Sequence, residues 1–189
     1  MFSIPLADDA HLFPLEAWHA EEFFAHIERG REYIGQYVPF PDRSKDLEAA
    51  RTLLGTNAHK AADDGVRLYG IRLDGTLVGG VLFPAFDAAG GNAEIGCWLE
   101  PAGVGRGLVT KACGVLLDWA FDVRGIRRVE WHAASENKRS IAVAQRLGMT
   151  RDGVMRQNHL HRGVLQDTEV WAILADEWRA HRAAAGPAA

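Results

Sequence analysis

The sequence predicts an α+β fold, a mixed β-sheet flanked by helices. Three observations lead there. Strand segments joined by a tight hairpin signal fill residues 66–99, a strand-helix-strand-helix succession runs from 92 to 147, and two further strand segments follow. The 189 residues suffice for one domain with a substantial core, which we place at residues 1–182, with 183–189 as a flexible tail.

Each element has a local cause. A short apolar segment around Leu12–Leu15 reads as the first strand. "AWHAEEFFAHIE", residues 17–28, sets Trp18, Phe23, Phe24 and Ile27 at helical spacing. "YIGQYVPFP", with two prolines, reads as an aromatic loop, either a lid over the core or the lining of an acceptor pocket. A second helix covers about 44–62, with Ser44 as its candidate N-cap and Glu48 slightly late for a capping box. "VRLYGIRLDGTLVGGVLFPAF" contains two strands joined at Asp74-Gly75, a pair suited to a hairpin turn. "NAEIGCWL" supplies another strand, Gly105–Phe121 a helix, "RRVEWHA" a strand and Lys138–Leu147 a short helix. Gly153–Leu160 and Thr168–Leu174 are the last strands, and "HRAAAGPAA" reads as a frayed end.

Composition narrows the function classes. Cys97 and Cys113 both lie in apolar surroundings, without a CxxC pattern or a Cys/His cluster, so neither a disulfide framework nor a zinc site is expected. A formal net charge of -4 gives no general attraction to nucleic acid, so no direct nucleic-acid binding is predicted. "MFSIPLADDAHLF" lacks a basic leader and an apolar core, and no apolar run reaches membrane-spanning length. The expected location is therefore cytoplasmic, without a membrane partner.

Between strand and helix lies "GVGRG", residues 103–107, with three glycines in five positions. Such a turn lets successive backbone N–H groups converge on an anion at a positive helix end, and Arg106 adds charge. A phosphate loop of the nucleotide triphosphatases would close on Gly-Lys-Ser/Thr, whereas Gly107 is followed by Leu108-Val109-Thr110. A dinucleotide fingerprint would want glycine at 108 and would sit on the first strand. A plain chain reversal is the remaining alternative. The second marker is "ASENKRSIAVAQRLGM": Asn137 is placed to cap a helix whose apolar face is Ile141, Val143, Ala144 and Leu147, and Gly148 to end it. Asn137 either caps only or also meets an extended amide-bearing ligand.

Taken together, "HAEEFFAHI", "REYIGQYVPFPD", "LYGIRLDGTLVGGV", "AEIGCWLEPAGVGRGLVTKA", "NKRSIAVAQRLGMTRDGVMRQ" and "WAILADEW" closely resemble the GNAT superfamily of acyl-CoA-dependent N-acetyltransferases, in its RimJ/RimL-like branch of ribosomal-protein N-terminal acetyltransferases. The resemblance spans residues 10–179. It implies the GNAT acyl-CoA N-acyltransferase fold, a central mixed sheet splayed between "AEIGCWL" and "RRVEWHA", with acetyl-CoA as cosubstrate and no metal. It further implies that backbone amides of Val104, Gly105, Arg106, Gly107, Leu108, Val109 and Thr110 receive the phosphates. Backbone groups of Cys97, Trp98 and Leu99 would pair with pantetheine, and Asn137 with Ser140 would lie along the cofactor arm. Two positions depart from the common pattern: Ala102 stands where Gln or Arg is usual, and Cys97 where relatives often carry Tyr.

The expected reaction is direct attack by a primary amine, which must lose a proton while the departing thiolate gains one. Glu94 is the candidate base, through water, because strand alternation places it with Gly96 and Trp98 on one face and burial there would raise its pKa. Ser140 is the candidate proton donor to sulfur. Each has a plainer reading, a salt-bridged strand residue and an ordinary first-turn helix residue. Cys97 is read as an inert small group and not a nucleophile. His132, His159 and His161 would reach an acceptor site from strand ends or, with no pairing visible in the sequence, are ordinary surface or half-buried histidines, and Asp167 or Glu169 would bind a substrate ammonium or simply mark a strand edge. Trp18, Trp119, Trp171 and Trp178 are expected to pack in the core or between helices, Trp98 and Trp131 to face ligand. The acceptor expected from the resemblance is a peptide or ribosomal-protein N-terminus, with a small-molecule amine, or non-catalytic acyl-CoA binding, as alternatives; a homodimer is compatible with either.

Overall fold

Strand pairing follows the turn signals through most of the chain. In the computed structural model, which describes residues 3–185, eight strands form a mixed sheet with helices flanking it. They are β1 (Ile4–Ala7), β2 (Ala10–Pro14), β3 (Arg67–Leu73), β4 (Thr76–Asp87), β5 (Asn92–Leu99), β6 (Arg128–Ala134), β7 (Thr150–His161) and β8 (Val164–Leu174), in the order β1-β2-β3-β4-β5-β6-β8-β7. β5 and β6 run parallel, with Asn92, Ala93 and Glu94 opposite Arg128, Val129 and Glu130. The β3–β4 connection has Asp74 at φ 49° and Gly75 at φ 74°, the two left-handed residues a tight hairpin needs.

The chain divides into two compact units. The first comprises residues up to Pro84 together with Gly96–Ala112. Its helices are α1 (Ala20–Gly35), α2 (Phe40–Arg43) and α3 (Leu47–Ala62). Phe13, Phe23, Ile27, Phe40, Leu54 and Trp98 are buried together in its core. The expected cap at Ser44 is corrected: Asp46 caps α3, its carboxylate accepting from the Ala49 amide at 2.7 Å, while Ser44 ends α2 and is buried. An ionised acceptor at the residue directly before the helix outcompetes a serine two places earlier. The aromatic loop thus contains α2, with Phe40 in the core and Pro41 inside its first turn, where a missing N–H costs nothing.

The second unit comprises Ala85–Ile95 and residues from Cys113 on. α5 (Lys138–Arg146) packs a strongly amphipathic face, burying Ile141, Val143 and Ala144, and Gly148 ends it at φ 75°. α4 (Leu108–Asp118) begins in the first unit and continues into a π-helical turn, Trp119–Val123. α6 (Ala175–Ala185) was not expected. Its Trp178 is buried and donates to Asp118 at 2.8 Å, and Arg182 and Arg179 bond to Asp118 and Asp122, so alanine-rich helix propensity is fixed by tertiary contacts. Residues 186–189 of the expected tail lie outside the described residues. β1 was also missed, because only Leu6 of its four residues is buried and no alternation marks it.

Candidate active site

The strand that leads to the glycine turn does not keep a single alternation. Ala93 and Ile95 are buried, then Trp98, so the buried parity slips across Gly96-Cys97. Glu94 and Trp98 therefore do not share the face that strict alternation assigns them. Trp98 is 3 % exposed and packs edge-on to Phe23 and Phe40, which corrects the expectation that its ring faces ligand. Trp131 is likewise buried, whereas Trp18, expected in the core or packed between helices, is 77 % exposed. Trp171 and Trp178 are buried as expected, and the Trp119 ring lies tilted against Phe86, centroids 5.4 Å apart.

After β5, Pro101–Gly103 make one 3-10 turn, in which the Val104 amide donates to the Pro101 carbonyl at 3.1 Å. Gly105 and Gly107 then adopt φ 84° and 70°, and no atom lies within 4 Å of where a Cβ would stand at either. Left-handed residues alternating with ordinary ones turn successive amides the same way, and the open sides leave room for a bulky anion. α4 follows at Leu108; the first bond of its ladder runs from the Lys111 amide to the Gly107 carbonyl, so the amides of its opening turn point out of the ladder. Arg106 is held by Asp9 at 2.8 Å, and Lys111 donates to the Leu6 carbonyl at 3.0 Å. β1 and the turn after it therefore brace this loop, a function for a segment the sequence leaves unmarked.

In the second unit Glu94 is half-buried and has a partner the sequence did not reveal. His132 Nδ1 lies 3.7 Å from Glu94 and its Nε2 lies 2.9 Å from Glu130, whose other contact is Arg128. Burial pushes the Glu94 carboxyl above its ordinary value; His132 opposes this and the Glu130 charge adds to it. Burial also raises Glu130, but its hydrogen bonds to Arg128 and His132 outweigh that and hold it below the ordinary range. The result is two carboxylates of opposite bias flanking one imidazole, with Glu94 holding a proton more readily than an ordinary carboxylate and Glu130 less readily. Only the parallel register brings these groups together: Glu94 stands opposite Glu130, two residues before His132.

Asn137 caps α5 as expected, its Oδ1 accepting from the Ser140 amide at 3.2 Å. Trp131 Nε1–H donates to Ser140 Oγ at 2.9 Å. Because the hydroxyl accepts that bond, its own proton remains directed elsewhere, as a donor requires. Trp131 and His132 are consecutive on β6, so the contacts of Ser140 and of Glu94 belong to opposite faces of that strand. The remaining polar candidates are occupied structurally: Glu169 binds Trp171 and Arg151, and Asp167 accepts from the Gln157 amide. His159 and His161 stack on each other near the β7–β8 turn. Among the described residues, no group of three or more His, Cys, Asp or Glu is arranged to hold a metal.

The acetyltransferase (GNAT) domain model matches residues 10–150, most of the chain. The chain belongs to the GNAT acetyltransferase family. This GNAT enzyme is similar to YdaF of Bacillus subtilis (strain 168), provisionally named a ribosomal N-acetyltransferase, with 27 % identity over 96 % of this chain and 100 % of YdaF. The structure of RimL, a ribosomal L7/L12 alpha-N-protein acetyltransferase in complex with coenzyme A, matches with a TM-score of 0.86 at 22 % identity, covering 93 % of this chain and 99 % of that one. The microcin C7 self-immunity acetyltransferase MccE, in complex with acetyl-CoA and AMP, matches with a TM-score of 0.85 at 24 % identity, covering 90 % and 95 % of the two chains. Among the described residues of this GNAT protein, no helix is long and apolar enough to cross a membrane.

Proposed function

We propose that residues 1–182 act as one N-acetyltransferase domain that moves acetyl from acetyl-CoA to a primary amine by direct attack, the amine belonging to a peptide or ribosomal-protein N-terminus. The observation that carries the donor is the turn before α4, with Gly105 and Gly107 at positive φ and open where side chains would stand. Backbone amides of Gly105, Arg106, Gly107, Leu108, Val109 and Thr110 hold the phosphates in this reading. Val104 shapes the turn, since its amide already meets Pro101. Main-chain groups of Cys97, Trp98 and Leu99 pair with the pantetheine amides, and Asn137 with Ser140 attends the arm.

Acetyl-CoA supplies a thioester whose acyl carbon accepts the amine. Glu94, biased by burial toward keeping a proton, takes the one that the amine gives up, with His132 and Glu130 setting its charge. Ser140 serves the sulfur side, its hydroxyl oriented by Trp131. A ribosomal-protein acceptor is supported by the names of YdaF and RimL as ribosomal N-acetyltransferases, and a small-molecule acceptor by the MccE complex, which holds AMP beside acetyl-CoA. The deciding experiment offers acetyl-CoA with a panel of peptide N-termini and a panel of small amines, and weighs the products by mass spectrometry. Acetylated peptides support the proposal, acetylated small amines alone replace its acceptor, and no product from either panel overturns it.

A further inference from the structure

One buried polar network in the first unit has no part in the chemistry above. His26 on α1 is fully buried, yet it touches two polar groups separated by one residue at the end of β5. Trp98 Nε1–H donates to His26 Nε2 at 3.0 Å, which fixes that nitrogen as an acceptor. The proton is then on Nδ1, which donates to Glu100 Oε2 at 3.1 Å. Glu100 is 4 % exposed; its other partner is Arg29, 3.3 Å away, which also donates to the Leu77 carbonyl at 2.7 Å.

The surroundings are shaped around this arrangement. A Cβ on Gly80 would lie 2.3 Å from the Trp98 ring, and one on Gly79 would lie 2.4 Å from the Trp98 carbonyl oxygen. The Glu100 amide donates to Val78 at 2.8 Å, and the Glu100 carbonyl accepts from Gly103 at 3.1 Å, the last residue of the 3-10 turn. A single imidazole therefore ties residues 98 and 100 to α1, while the peptide groups on either side of Leu99 lie between the two anchors. Burial lowers the His26 pKa to about 4, against the pull of Glu100 and with that of Arg29, so the ring is the neutral donor-acceptor this network requires.

We infer that His26 is a positioning residue for the acyl donor, which it serves by locking the Trp98–Glu100 backbone and the entry to the glycine turn through the Trp98–His26–Glu100 bridge. This rests on the donor reading proposed above. It predicts a ligand-binding effect separable from a folding effect. A histidine that only filled space would be replaced by any apolar residue of similar size at no cost to ligand affinity.

The test compares acetyl-CoA affinity by calorimetry, and melting temperature, for the parent, His26→Leu, His26→Gln and Trp98→Phe. Losing the bridge leaves buried polar groups unpaired, so His26→Leu should weaken acetyl-CoA binding about tenfold. His26→Gln carries one acceptor and one donor on its amide and should recover most of that loss. Trp98→Phe keeps the aromatic packing and removes one donor, so it should weaken affinity by about threefold, and it carries the test alone where His26→Leu does not fold. Parental affinity in the folded variants, with only the melting temperature lowered, overturns the inference. A parent that binds no acetyl-CoA instead overturns the donor reading on which it stands.

Discussion

In its proposed role as base, Glu94 would set stability against chemistry. Its folded pKa lies above the ordinary 4.5, so the folded protein holds that proton more firmly than the unfolded chain. The stabilisation is complete below 4.5 and is lost as pH rises through the folded value. Glu94→Gln, which stays neutral, should therefore melt above the parent near neutral pH, with the two curves converging in acid. The same variant cannot accept the ammonium proton, so turnover should fall about 10²-fold and the acidic limb of the rate profile should vanish, at little cost to acetyl-CoA affinity. Parental turnover with an unchanged acidic limb would remove Glu94 as the base. His26 works in the opposite direction. Its pKa is lowered from 6.5 to about 4, so its contribution is complete above 6.5 and is lost as pH falls from there toward 4. Full loss of that contribution amounts to roughly 3 kcal/mol. Melts across that window should slope downward with falling pH in the parent and more gently in His26→Gln; equal slopes would mean that His26 titrates normally.

At the scale of the element, the glycine turn and the α5 cap make separate claims. Gly105 has open space around it, so a substitution there is strained by its backbone angle alone. Gly105→Val should cost about 1–2 kcal/mol, and Gly105→Asn less, since asparagine tolerates positive φ. Denaturant unfolding of the two variants checks the order, and a reversed order would mean that side-chain bulk matters more than φ. Asn137→Ala removes a cap bond and should cost about 0.5–2 kcal/mol. If acetyl-CoA raises the melting temperature of Asn137→Ala and of the parent equally, the cap is its whole contribution. Both features were legible in sequence because their causes lie within a few residues. The cap of α3 was not, because Ser44 and Asp46 are both competent acceptors and only the helix start decides between them.

For the whole molecule, a ligand that binds only the folded state should stabilise it by about 2.7 kcal/mol at a hundredfold excess over Kd. For a domain of this size that corresponds to a rise of about 5–10 °C in melting temperature. In the proposed reading, where the glycine turn receives the phosphates, coenzyme A should produce the shift and dephosphorylated pantetheine should not. Equal shifts would place recognition on the pantetheine arm instead. The order of strands, with its parallel β5–β6 pair beside the antiparallel β6–β8 pair, agrees with the expected mixed sheet.

What the sequence determined by itself was the part with short-range causes. The Asp74-Gly75 hairpin, the "GVGRG" turn opening α4, the Asn137 cap and the Gly148 stop each follow from the conformational limits of a few adjacent residues. Tertiary structure decided the rest, because burial and charge pairing are properties of the assembled chain. Trp98 could not be assigned to the core until the alternation of β5 slipped at Gly96-Cys97, and its hydrogen bond to His26 joins residues 72 apart. His132 carried no visible partner until β5 and β6 paired in register and placed Glu94 beside it. α6 lacked an apolar stripe strong enough to announce itself, and acquires its place from Trp178, Arg179 and Arg182 meeting Asp118 and Asp122, some 60 residues away along the chain.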